Sequence, residues 1–345
     1  MNLPTIPLID LEAAKAAANR QTILTKPLGA LGYLEELSTK LAGITANPRP
    51  KFTKKGVIVM AADHGITRSG VSAYPSEVTP QMVFNILNGG AAINVLSRQA
   101  IAKVTVVDIG VAYDFQNIPG LLHRKIAFGT QNMLHGAAMT RSQAEDAIQV
   151  GIDVVFNEID QGLDLVATGE MGIGNTTASS AITAIFTKTP VQQVVGRGTG
   201  LDDKGLANKI QAIHDAILLN QPDPDDPLDV LSKVGGFEIA GLCGVILGAA
   251  SRRVPVVVDG FISGAAALVA AHLQPAVKPF LIASHQSVEI GHAVIWKHLG
   301  LRPILNLDLR LGEGTGAVLA FHILEAAVRT LDEMATFSEA GVSDK

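Results

Sequence analysis

Hydrophobic positions follow two different patterns along this chain. In the first fifty residues, LIDLEAAKAAANRQTIL and LGALGYLEELSTKLAGI set apolar residues at three- and four-residue steps, the helical period. ANPRPKF then reads as a boundary. Beyond it, short Val/Ile runs alternate with long Ala-rich stretches: KGVIVMAAD, KVTVVDIG, LDLVATGE, VPVVVDG, KPFLIASH and PILNLDL. Runs that are apolar on both faces, joined by helix-length connections, predict parallel strands covered by helices on both sides. The expected fold class is therefore α/β, a doubly wound and mainly parallel sheet. The closing stretch GAVLAFHILEAAVRTLDEMATF has a helical period and is expected to pack back on the N-terminal helices. The last residues, VSDK, are expected to fray.

Each strand candidate ends in polar or glycine chemistry: ADHG, DIG, TGEMGIGNTT, DGF, SHQSVE and LRLGEGTG. Ligands of open parallel sheets sit beyond the carboxyl ends of the strands, so these tails should converge on one crevice. In TGEMGIGNTT a strand ends near Thr168, and Gly172 and Gly174 permit close approach or unusual backbone angles. Asn175 and Thr176 are placed to cap the helix that follows, whose N-terminus suits a phosphate. Glu170 would repel a phosphate, so a sugar hydroxyl or a cationic ring is its better partner. A second glycine turn, VVGRGTGLDD, precedes a helix that Asp202 or Asp203 can cap. Lys209, two turns into that helix, either reaches a phosphate or stays solvated, and Arg197 is equally ambiguous. Tyr74 either walls an aromatic-ligand pocket or packs its loop down. In LRLGEGTGA one acid, Glu313, stands among three glycines, a setting that a surface acid does not need.

Composition narrows the function classes. Of 345 residues, 48% are hydrophobic and 17% charged, which suits a globular protein with much buried helix and strand. The longest apolar runs, IAGLCGVILGAA and GAAALVAAHL, are Ala/Gly-rich and shorter than the ~20 residues of a membrane span, so no membrane association is expected. They read as helices packed closely on another element or on a second subunit. The net charge of −5, with no basic patch interleaved with aromatics, argues against nucleic acid. The single cysteine, Cys243, reads as a buried small hydrophobe and excludes a disulfide within the chain. The N-terminus carries acids and no signal-like apolar region, so a cytoplasmic location is expected. His64, His285 and His292 form no HExxH or Cys/His pattern, and no metal site is expected. The first strand is not followed by Gly-x-Gly-x-x-Gly, which counts against an NAD-dependent oxidoreductase. A non-catalytic nucleotide- or base-binding protein is the other rival, although it would need no isolated acid among glycines.

Taken together, KPLGALGYLE, AADHGI, GVSAYPSEVTPQM, NGGAAINVL, GEMGIGNTT, GRGTGLDD, VVVDGFI, SHQSVEIGH and LRLGEGTGA run in family order over nearly the whole chain. They resemble the nicotinate-nucleotide–dimethylbenzimidazole phosphoribosyltransferases of cobalamin lower-ligand assembly. One departure is Ala30, where the family pattern has Ser. The resemblance implies transfer of ribose 5-phosphate from nicotinate mononucleotide to 5,6-dimethylbenzimidazole, giving α-ribazole 5′-phosphate and nicotinate. It also implies a homodimer without metal or redox cofactor. The implied domains are a Rossmann-like catalytic domain (51–315) and a small helical domain from the two chain ends (1–50 with 316–345). Glu313 is then the base and Glu170 lies by the ribosyl centre. Ser72, Tyr74 and Gln81 contact the benzimidazole, and Gly172, Asn175, Thr176, Lys209 and Ser287 hold phosphate or ribose. Gly312 and Gly314 would give a flat ring clearance.

Overall fold

A computed structural model describes residues 1–198 and 200–343. The expected fraying of VSDK falls partly on Asp344 and Lys345, outside the described residues. Two helices open the chain, α1 (Leu11–Ile23) and α2 (Tyr33–Thr45). Strand β1 (Lys55–Ala62) leads through α3 (Val78–Leu87) and α4 (Ala92–Ala100) to β2 (Ala102–Gly110) and a short β3 (Leu121–His123). Helix α5 (Arg141–Asp160) precedes β4 (Leu165–Met171). Four helices then intervene: α6 (Asn175–Thr187), α7 (Asp203–Asn220), α8 (Pro227–Val234) and α9 (Phe237–Ser251). The chain ends with β5 (Val256–Val258), α10 (Phe261–Leu273), β6 (Leu281–Ala283), α11 (Ile290–Leu299) and α12 (Thr315–Glu333), followed by a single helical turn.

The six strands form one sheet in the order β3-β2-β1-β4-β5-β6, and every pairing is parallel. This is the doubly wound order, whose direction of winding reverses between β1 and β4. Alternation along β1 feeds two cores. Ile58, Met60 and Ala62 join the side chains of α5, α9 and α10, while Val57, Val59 and Ala61 join those of α2, α4 and α12. The helices of the two chain ends associate, as their patterns anticipate. α1 and α12 both pack on α2, and Arg20 of α1 donates to the Leu331 carbonyl at 2.6 Å.

Two features differ from the sequence expectation. PILNLDL is not a strand. Its one bridge pairs Leu305 with His285, and otherwise its backbone bonds to the loop after β6, with Ile304 N–H donating to Ala283 O and Gln286 N–H to Leu305 O. β6 leaves the sheet after three residues, so no straight neighbour remains to extend a ladder, and Asp308 turns into the left-handed region at φ 54°. β3 was not anticipated because three residues at a sheet edge carry no readable period.

The Ala/Gly runs pack helix on helix. A side chain at Gly151 of α5 would come within 1.9 Å of Gly241 O in α9, and one at Gly244 within 2.0 Å of Ile148 O. The two backbones touch because neither carries a side chain there. Gly151→Ala should therefore force the helices apart and destabilise the protein by at least the ~1–3 kcal/mol of ordinary overpacking. A thermal melt should show a lower Tm, and an unchanged Tm would mean that the α5–α9 contact is not tight.

Candidate active site

The carboxyl ends of β4, β5 and β6 do converge, on a cavity of about 460 Å³. Six of the ten site residues expected from the sequence line it: Tyr74, Glu170, Gly172, Asn175, Thr176 and Ser287. Glu170 lies within β4, which runs on to Met171 rather than stopping near Thr168. The turn after it places Gly174, at φ 92°, as the N-cap of α6, with no side-chain cap. Asn175 and Thr176 are thus not caps. Asn175 is the first helical residue, and its amide donates to the Glu170 carboxylate.

Two glycine-rich turns meet at this helix start. Lys209 is fully buried and donates from Nζ to Thr176 Oγ1 at 2.6 Å. A side chain on Gly198 would come within 3.1 Å of that ammonium, so the loop before α7 lies directly over it. Burial draws the Lys209 pKa down to about 8. The solvated reading of Lys209 is thereby excluded. Arg197 points elsewhere, pairing with Asp203 and donating to Leu201 O, and Asp202 is the residue that caps α7. Several N–H groups near the α6 start already have partners, among them Ile173 on Thr79 Oγ1 and Asn175 on Gly172 O. The polar side chains therefore carry more of any anion contact than a bare helix terminus would.

Glu313 lies just past the cavity-lining Gly312, in a turn that is left-handed at three successive residues: φ is 84° at Gly312, 62° at Glu313 and 93° at Gly314. For a glutamate that backbone costs about 1–2 kcal/mol, so the surroundings must hold it. Its carboxylate accepts the N–H of Ile93 at 3.1 Å, at the start of α4. Burial raises its pKa, while that hydrogen bond opposes the rise. The glycines serve the protein's own packing. A side chain on Gly312 would reach Glu170 Oε1 at 2.1 Å, and one on Gly314 would reach Val57 Cγ2 at 2.5 Å.

Glu170 is also an acid in an acidic neighbourhood. Burial, and then Glu238, Asp259 and Glu313, raise its pKa well above the ordinary carboxylate range, against the pull of Asn175. Behind it, His64 is not exposed for general-base work. Burial works against its charge, but Glu238 at 2.7 Å prevails and raises its pKa.

Two expected contacts are not brought together. Gln81 is exposed on α3, and Ser72 lies outside the cavity lining, with its hydroxyl accepting from Tyr74 N–H at 3.2 Å. Tyr74 itself is 54% exposed, at the rim. Conversely, Asp259, His285 and Glu289 gather at the site although sequence reading gave them no role in it. Asp259 was visible only as the last polar residue of VVVDG, and Glu289 only as one acid within SHQSVEIGH. Burial lowers the His285 pKa to about 4, so this ring is neutral. Among the described residues, no group of three or more His, Cys, Asp or Glu side chains is placed to hold a metal ion, and no helix is long and apolar enough to cross a membrane.

Comparison with known proteins identifies the family. A family model described as phosphoribosyltransferase matches residues 6–342. The nicotinate-nucleotide–dimethylbenzimidazole phosphoribosyltransferase of Chloroflexus aggregans is 62% identical over 98% of this chain and 96% of its own. The enzyme of the same name from Geobacter sulfurreducens is 56% identical over 97% of this chain and 96% of its own. A crystal structure of CobT from Thermus thermophilus superposes with a TM-score of 0.94 at 47% identity, covering 97% of this chain and all of that one. A family model that spans nearly the whole chain, with relatives this similar over nearly their full length, makes this chain a member of the nicotinate-nucleotide–dimethylbenzimidazole phosphoribosyltransferase family.

Proposed function

We propose that this protein transfers ribose 5-phosphate from nicotinate mononucleotide to 5,6-dimethylbenzimidazole, releasing nicotinate and α-ribazole 5′-phosphate for cobalamin assembly. The observation that carries this reading is the juxtaposition of two buried glutamates, Glu170 and Glu313, with a buried lysine held at a helix start. The nucleotide's pyridinium is cationic and its phosphate anionic, so each end meets a complementary group. Lys209, Thr176 and Ser287 take the phosphate and ribose side, with Gly172 and Asn175 shaping the turn. Glu170 faces the ribosyl centre, and Tyr74 with Ser72 and Gln81 forms the outer contact to the aromatic base. For Ser72 and Gln81 this requires the loop before α3 and the first turn of α3 to move inward.

The electron balance is simple. The C1′–N bond of the nucleotide breaks and its pair neutralises the pyridinium, so nicotinate leaves without a general acid. One ring nitrogen of dimethylbenzimidazole forms the new bond to C1′, and the proton on its other nitrogen goes to Glu313. A carboxylate whose pKa is raised by a dry setting is a stronger base for that transfer. Glu170 stabilises the positive charge that grows on the ribosyl ring. The exposed Leu307, Leu311 and Val288 near the cavity mouth suit a homodimer in which a second copy covers this rim. A small helical domain (1–50 with 316–345) on a large α/β domain (51–315), working in the cytoplasm, completes the proposal.

Glu313→Gln should bind both substrates and lose about 10²–10⁴-fold in kcat, followed as nicotinate release. Turnover near wild type would assign the proton to another group. Glu170→Gln should weaken binding of the cationic nucleotide and slow the chemical step, and unchanged kinetics would remove Glu170 from the site. The pH dependence follows from the raised Glu170 pKa. Below that pKa the residue is neutral, while a bound pyridinium favours its ionised form, so binding releases a proton. Nucleotide affinity should therefore rise with pH through this range. Calorimetry in buffers of different ionisation enthalpy should detect the released proton, and E170Q should lose that part of the pH dependence.

A further inference from the structure

Asp259 stands at the end of β5 and is 1% exposed. It does not line the cavity, where its neighbour Gly260 does. Its two carboxylate oxygens accept the N–H of Gly314 at 3.1 Å and of Ala317 at 2.9 Å. These donors lie just beyond Glu313, at the start of α12. The N-cap of that helix is Gly314, which supplies no side chain, and a side chain there would meet Val57 Cγ2. The cap that a helix normally draws from its own N-cap residue therefore has to come from another strand, and Asp259 provides it.

Asp259 is itself held from both sides. Its N–H donates to Thr168 Oγ1 of β4 at 3.2 Å, and its carbonyl accepts the Ser284 hydroxyl, after β6, at 3.1 Å. One residue thus ties the ends of β4, β5 and β6 to the turn that carries Glu313. Among the described residues no lysine or arginine pairs with it. The nearby His285, 3.9 Å away, is neutral because of its own burial. Burial raises the Asp259 pKa to about 7, and the backbone N–H groups of Ala317, Gly314, Gly316 and Gly260 act in the opposite sense. A buried carboxylate whose hydrogen-bond compensation comes mainly from the backbone N–H groups at the start of α12 is suited to fixing the turn that precedes it.

We propose that Asp259 is a positioning residue that presents Glu313 to the aromatic base. The proposal rests on the reading of Glu313 as the base. Asp259→Asn keeps the size but turns an amide donor towards one of the two N–H groups, which frees one side of the turn. A misplaced base costs rate rather than nucleotide binding. D259N should lose about 10- to 100-fold in kcat, with nucleotide affinity retained or raised, because removing the Asp259 charge lowers the Glu170 pKa that it helps to raise. Its acidic pH limb should move to lower pH, because a loosened turn lets water reach Glu313, whose pKa is raised by burial. D259N also removes the Asp259 charge that raises the Glu170 pKa, so the same shift in T168V, which keeps that charge, is the one that reports the turn. Thr168→Val, which withdraws only the acceptor for the Asp259 N–H, should show a smaller loss of the same kind.

The experiment compares wild type, D259N, T168V and E313Q by nucleotide calorimetry and by kcat over pH. Unchanged kcat in D259N would overturn the proposal. So would a loss of kcat matched by an equal loss of nucleotide affinity with the pH limb in place, the signature of general damage. If D259N fails to fold, T168V decides by the same criteria. An active E313Q would instead overturn the base assignment, an outcome distinct from an active D259N beside an inactive E313Q.

Discussion

The site depends on one close contact, that of the Gly312–Gly314 turn against β4. Gly169 has no side chain, and a substituent there would come within 2.5 Å of the Glu313 carbonyl oxygen. The turn therefore rests on the strand itself. This contact sets where α12 begins, and α12 in turn supplies Ala317, Val318 and Phe321 to the core beneath the sheet. Core and catalytic geometry are fixed by the same few atoms. Left-handed backbone at a glutamate survives only where neighbours over-determine it, and here β4, Ile93 and Asp259 do so together.

The electrostatics leave two unfinished groups around the cavity. Glu170 and Glu313 are buried acids with raised pKa values and no lysine or arginine partner among the described residues. Lys209, buried against Thr176, has a lowered pKa and, among the described residues, lacks an anion of its own in hydrogen-bond contact. Desolvation disfavours the charged form on both sides. A ligand with a cationic ring at one end and a phosphate at the other satisfies both, and the substrate of the proposed reaction has that polarity.

The His64–Glu238 pair shows the same principle in a partly satisfied form, since buried Glu238 Oε2 has no hydrogen-bond partner among the described residues. Both side chains are buried, but each has the other at 2.7 Å. Glu238 also adds its field to Glu170. The pair acts as electrostatic background for the site and not as a separate centre.

Much of the architecture was legible in the residues. β1, β2, β4, β5 and β6 each carry apolar residues on both faces, because each is covered on both sides, and such runs stand out in any sequence. The close packing of α9 was visible as an Ala/Gly run, whereas Gly151 of α5, its partner, was not singled out. Glu313 was singled out by its glycines, and Glu170 by the turn beside it. The short β3 and the false strand PILNLDL were not readable, since pairing depends on a neighbour that composition does not reveal. The purpose of Gly312 and Gly314 was misread for the same reason: they accommodate Glu170 and Val57, which are distant in sequence. Tertiary structure alone buried Lys209, turned Asn175 from a cap into a donor for Glu170, and brought Asp259 under the Glu313 turn. Hydrophobic period and motif chemistry are local properties of the chain, whereas desolvation and hydrogen-bond partnership arise only when remote segments meet.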